Sequence, residues 1–170
     1  MKKIIILLFI TILLIGCENV KNTPTNKVED FLGNYQRLDR VVLDDLKKVM
    51  DKNTTMSDKE KEEYTTLLEK QYQNLSYKIT KEEVTDNAAT VDVEIEVLDY
   101  KTSLNKSNKY YEEHKDEFTE EEYIEYKLKE LKTVSDTIKY EITFNLIKED
   151  GIWKMENLTD SDIEKIHGLY

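Results

Sequence analysis

One cysteine, one proline and four glycines in 170 residues exclude several designs at once. A lone cysteine cannot close an intrachain disulfide, so a hydrophobic core must hold the fold. It also leaves no cysteine pair for zinc, and the two histidines, His114 and His167, have no His-x-x-x-His spacing. There is no Gly-x-Ser-x-Gly elbow to present a nucleophilic serine. Positive charge is in deficit too: Lys and Arg total 25 against 36 Asp and Glu, a net charge of −11. A surface that acidic repels nucleic-acid phosphates and anionic lipid headgroups alike, so no nucleic-acid partner is expected. No cofactor is called for by any motif, and no resident metal is expected.

Long hydrophobic runs are also missing, except at the start. Lys2 and Lys3 precede an apolar run from Ile4 to Ile15, followed by Gly16 and Cys17. A membrane span needs about 20 apolar residues, and this run is shorter. A basic start, a short apolar stretch and a small residue at its end read as a signal peptide over residues 1–16. The segment Leu14-Ile15-Gly16-Cys17 resembles the lipobox, the sorting signal of bacterial lipoproteins. The resemblance implies a diacylglycerol on the Cys17 sulfur and cleavage just before it. Two acyl chains hold a protein on a bilayer far better than one. The expected location is therefore the extracytoplasmic side of the cell membrane, with the membrane contacted through the lipid. Removing Lys2 and Lys3 with the leader takes the remaining 154 residues to a net charge of −13, a length suited to one domain.

Residues 17–26 are polar, hold the only proline and show no period, which reads as a flexible tether. A single domain is expected over residues 27–170. From Lys27 to Met50, Phe31, Tyr35, Leu38, Val42, Leu46 and Val49 recur at three- and four-residue steps, predicting one long amphipathic helix. Ser57 and Glu60 have capping-box spacing and open a second helix to about Tyr72. The period then drops to two. Leu75, Tyr77 and Ile79 begin one strand, and Val91, Val93, Ile95 and Val97 mark the next, with Thr85-Asp86-Asn87 as the turn. Leu98 and Tyr100 break parity, predicting a bulge near Val97–Leu98 or an end buried on both faces. Residues 103–133 read as a charged helical insertion, its second helix opened by Thr119 and Glu122. Ile138 to Leu146 restores the strand period, Asp150-Gly151 signals a hairpin, and Ile152–Met155 returns. Ser161 and Glu164 have the same cap spacing, ahead of a last short helix or turn ending at Gly168.

The order predicts an α+β fold: a long N-terminal helix packed on a four-stranded twisted antiparallel sheet, with a helical insertion between strands 2 and 3. A helix laid in the concave face of such a sheet resembles the nuclear transport factor 2-like (cystatin-like) arrangement, as in lipoproteins of low-GC bacteria. That superfamily uses its cone as enzyme pocket, binding domain or dimerisation platform, so the resemblance does not fix a function.

Candidate sites are few. His114 shares a face with Tyr110 and Phe118 and reads as a packing histidine, while His167 reads as a helix-end residue. Asp160, Asp162 and Glu164 alternate like a calcium loop but lack its glycine and terminal glutamate. Asp92, Glu94 and Glu96 read as a solvated strand face, paired across to Lys78 or Lys139. Four of the eleven tyrosines, Tyr110, Tyr111, Tyr123 and Tyr126, fall in the insertion, either clasping its helices or presenting a rigid amphipathic surface, with Tyr126 expected to be the most exposed. The expectation is a non-catalytic, membrane-tethered interaction module whose insertion meets another envelope protein. The alternative is a pocket between helix 27–50 and the sheet, lined by Tyr35, Tyr77, Tyr140 and Trp153, that binds or slowly transforms a lipid-like or cell-wall fragment. A third possibility is a protein that blocks another envelope factor.

Overall fold

The only proline opens the first helix. The computed structural model describes residues 22–170, so the signal peptide, Cys17 and the tether up to residue 21 lie outside the described residues. Helix α1 spans Pro24–Gln36, with Pro24 in the first turn, where no amide hydrogen is needed, and the Thr23 side chain accepting from the Asn26 amide at 3.1 Å. The expected tether therefore ends earlier than residue 26. Asn22 is already fastened: its side chain donates to the Gly151 carbonyl and accepts from the Trp153 amide.

The single helix expected over residues 27–50 is two helices, α1 and α2 (Arg40–Lys52). The break is a helix-ending motif built on Leu38, whose φ of 54° lies in the left-handed region. The Leu38 amide donates to Tyr35 and the Asp39 amide to Asn34, which satisfies two carbonyls at the end of α1. Glycine is the usual residue at such a position, and an L-residue there costs about 1–2 kcal/mol. Leucine offsets that cost because its side chain packs against the main core. The apolar period runs through the break because both helices turn the same kind of face inward, which hides the boundary from pattern reading.

Helix α3 spans Asp58–Asn74, and both arms of the Ser57–Glu60 capping box are formed. Strands β1 (Ser76–Thr85), β2 (Ala88–Leu98), β3 (Thr137–Glu149) and β4 (Ile152–Met155) make one antiparallel sheet in the order β1-β2-β3-β4. The β1–β2 turn places Asp86 at φ 49°, and the β3–β4 turn places Asp150 at 49° and Gly151 at 81°, as tight hairpins require. Between β2 and β3 come α4 (Tyr100–Glu113), a 3₁₀ turn (Lys115–Glu117) and α5 (Glu120–Lys132), whose Thr119–Glu122 capping box is also formed. A final helix, α6, spans Asp160–Ile166. Its cap is Thr159 rather than Ser161: the Thr159 hydroxyl oxygen accepts from the Asp162 amide and its proton goes to the Asp162 carboxylate. The fold class is α+β, as the sequence predicts.

One face of the sheet is core. Val91, Val93, Ile95 and Val97 of β2 and Ile142, Phe144 and Leu146 of β3 are buried with Val28 and Leu32 of α1. The opposite face is polar: Glu94 pairs with Lys139 at 2.8 Å, while Asp92 and Glu96 accept from Thr143 and Thr137. The register slip sits in β1 between Ile79 and Lys81, not at Val97–Leu98. Parity breaks at the end of β2 because that end is buried on both sides. Val97 belongs to the main core, and Leu98 to a second cluster with Leu67, Tyr100, Ile124, Leu128 and Leu131. Both clusters draw on helices and strands of residues 22–170, the main one from α1 to α6. Among those residues no helix is long and apolar enough to cross a membrane.

Candidate functional site

Helices α1, α2, α3 and α6 do not close completely over the core. They leave a cavity of about 370 Å³ between them, open on one side. Helix spacing explains the walls. On α2, Val42, Leu46 and Met50 point into the core, and the neighbouring stripe of Val41, Asp45 and Val49 forms the rim. On α3, Tyr64, Leu68 and Tyr72 recur every four residues and make the facing wall. Phe31 and Tyr35 of α1 and Ile163 and His167 of α6 complete it. Val41 and Val49 are 68% and 60% exposed, an unusual solvent position for two large aliphatic side chains on one helix.

The aromatic rings lock one another. Tyr35 meets Phe31 at 5.2 Å and Tyr72 at 4.9 Å between ring centres, both edge to face. The Tyr72 hydroxyl and His167 Nε2 are 3.0 Å apart. Burial pulls the His167 pKa down to about 4 and pushes the phenols of Tyr72, Tyr64 and Tyr35 up, so at neutral pH all four side chains are uncharged. Among the described residues no lysine or arginine lines the cavity. Its one carboxylate, Asp45, is paired with Lys48 at 2.8 Å.

His167 is held there by the end of α6. Gly168, at φ 69°, directs its amide to the Lys165 carbonyl, and the Leu169 amide reaches Glu164. A side chain could not replace that glycine. A Cβ on Gly168 would lie 2.1 Å from the Leu98 carbonyl oxygen and 2.2 Å from Gln71 Nε2. Gln71 is fully buried and brackets Leu98, its amide nitrogen donating to the Leu98 carbonyl and its oxygen accepting from the Leu98 amide, each at 2.9 Å. One buried glutamine thus joins α3 to the end of β2 and sets the surface on which the α6 terminus rests.

No protein-family model matches this chain, and no curated protein or solved structure does.

Of the four residues expected to line a pocket, the cavity gathers only Tyr35. Tyr77 lies on the core face of β1 opposite Ile95. Tyr140 donates to the Tyr170 carbonyl and meets its ring edge to face. Trp153 is buried in the main core, with its amide on Asn22. The expected place, between a helix and the sheet, is filled by α1; the opening lies between helices instead. Tyr64, Tyr72 and His167 were missed as site residues. The four-residue spacing of Tyr64, Leu68 and Tyr72 was visible, but a stripe of that kind reads equally well as core. His167 does end α6, as expected, and in addition faces Tyr72.

The insertion tyrosines clasp α4 to α5. Tyr111 stacks on Tyr123 at 3.9 Å, Tyr126 leans on Tyr110 and Phe118, and the Tyr123 hydroxyl donates to Asn108. Lys127 sits over the Tyr123 ring at 4.3 Å. Tyr110, stacked on His114 at 4.1 Å, is 39% exposed and more open than Tyr126, reversing the expected order. Asp162, from the calcium-like alternation, is engaged by Thr159 and by Lys165 at 3.0 Å. Among the described residues no group of three or more His, Cys, Asp or Glu is placed to hold a metal ion.

Proposed function

We propose that this chain is a lipid-anchored, non-catalytic binding module of the cell envelope, and that its site is the cavity between α1, α2, α3 and α6. The observation that carries the reading is an open cavity of about 370 Å³ with mainly apolar walls and a few convergent polar groups. Ligand sites typically have that size and make-up. A neutral imidazole with a pKa of about 4 is a weak base near pH 7, and among the described residues no carboxylate is hydrogen-bonded to its ring, so the same groups favour holding a molecule over transforming it. The lipobox-like segment at residues 14–17 supports attachment through Cys17, outside the bilayer and facing away from the cytoplasm.

Two measurements test this. Residues 22–170 titrated against the neutral fluorophore N-phenyl-1-naphthylamine should enhance its emission saturably. The exposed-rim variant Val41→Glu/Val49→Glu should stay folded and bind at least tenfold more weakly. Equal binding by the variant would remove the cavity as the site. Separately, the full chain carrying Cys17→Ser, expressed in a bacterium, should leave the membrane fraction and lose incorporation of labelled palmitate. Unchanged palmitate incorporation would remove the anchor.

A further inference from the structure

We propose that the cavity takes an uncharged, carbonyl-ended acyl fragment, whose oxygen is bound by the hydroxyls of Tyr35 and Tyr64 while its chain lies along α2. This rests on the binding reading above and specifies the ligand. Among the described residues no hydrogen bond reaches either of these two hydroxyls, although both side chains line the cavity. Both share the cavity lining with Tyr72, whose ring meets Tyr35 at 4.9 Å, and both phenols act electrostatically on the Tyr72 hydroxyl. Tyr72 itself is already engaged with His167. Two phenols without a protein partner, lining one mainly apolar cavity, are complementary to an acceptor oxygen with two lone pairs. A polar group in such a place gains little unless something completes its hydrogen bond.

Charge narrows the class further. An anionic head would enter a cavity with no lysine or arginine among its described lining residues. Transfer of an unpaired ion into low dielectric costs far more than a single hydrogen bond returns, which disfavours a phosphate or a free carboxylate. A cationic head fares no better, because Asp45 is already paired with Lys48. Volume sets the length. A cavity of about 370 Å³ holds roughly a dozen water-sized groups at about 30 Å³ each, which suits an acyl chain of medium length. The exposed Val41 and Val49 lead from solvent into the cavity along one face of α2 and supply the apolar track.

The experiment displaces N-phenyl-1-naphthylamine, which carries no oxygen, from residues 22–170 with octanamide, octanoate and octylammonium at pH 7.5. Octanamide should displace it at least tenfold more effectively than either charged analogue. Tyr35→Phe and Tyr64→Phe should each weaken octanamide by about three- to tenfold, the range expected for one hydrogen bond, after correction for each variant's own measured affinity for the fluorophore. Octanoate or octylammonium matching octanamide, or wild-type octanamide binding by both Phe variants, overturns the ligand assignment and leaves the cavity a binding site. Failure of the fluorophore to bind the wild-type protein at all overturns the binding reading, and this inference with it.

Discussion

The Tyr72 hydroxyl on α3 sits 3.0 Å from Nε2 of His167 at the end of α6, joining residues 95 apart in the chain across one wall of the cavity. It is one of the contacts through which the C-terminal segment meets the helical layer, beside Gly168 against Gln71. Its energetics depend on the imidazole staying neutral.

That dependence has a sign. Burial lowers the His167 pKa from 6.5 to about 4, so between those values the unfolded chain binds a proton that the folded one refuses. The stability associated with neutral His167 is fully present above pH 6.5 and is lost as pH falls towards 4. The loss amounts to roughly 3 kcal/mol. Tyr72 faces the imidazole directly, and the other titratable groups in the same cavity lining are Tyr35, Tyr64 and Asp45. Urea midpoints of the wild type and His167→Gln, compared at pH 7.5 and 4.5, isolate the effect from that of the surface carboxylates. The variant should be less stable at pH 7.5 and show a clearly smaller loss on acidification. Equal losses in the two proteins contradict the assignment.

The two left-handed glycines should respond differently to the same change. Gly151→Ala meets nothing within 4 Å and bears only the backbone cost, about 1–2 kcal/mol. Gly168→Ala bears that cost and also drives a methyl into the Leu98 carbonyl and the Gln71 amide. It should lose more than about 3 kcal/mol, because relief requires moving α6 away from β2. Chemical denaturation of both variants separates the cases, and similar losses would show that the α6 terminus is free to shift.

Gln71→Leu keeps a similar volume while leaving the Leu98 amide and carbonyl without the glutamine. Two buried backbone groups stripped of partners cost about 2–4 kcal/mol in total. The expected readout is a lower urea midpoint together with fast hydrogen exchange at the Leu98 amide. Slow exchange at that amide would mean another group replaces the glutamine.

In the insertion, a double-mutant cycle on Tyr111→Leu and Tyr123→Leu should return a coupling of about 0.5–1.5 kcal/mol, the value for a stacked aromatic pair. A coupling near zero would leave these rings free to serve a partner instead of each other.

What the sequence shows depends on how local the cause is. Capping at Ser57 and Thr119, the two-residue period of β2 and the Asp150-Gly151 hairpin each rest on neighbours within a few residues, and each is present as predicted. Leu38 is the opposite case. A leucine at φ 54° is tolerated only because the distant core receives its side chain, so the α1–α2 boundary carries no local signal. The cap of α6 was misplaced by two residues because Thr159 and Ser161 are chemically similar caps, each with an acidic residue three positions on. The cavity was the least legible feature. It is defined by what four helices fail to fill, and Tyr72 and His167 meet only through the folded chain. Tyr77, Tyr140 and Trp153 pointed to the sheet face because they are large and amphipathic, a property that packing used up there.

The most direct test of the account is site-resolved NMR on residues 22–170 titrated with N-phenyl-1-naphthylamine. The predicted result is saturable shifts confined to α1, α2, α3 and the end of α6, with intermolecular contacts to the methyl groups of Val41, Leu46, Val49 and Met50. Shifts that instead cluster on the insertion around Tyr110 and His114, or on the polar sheet face around Glu94 and Lys139, with those four methyl groups silent, would contradict it.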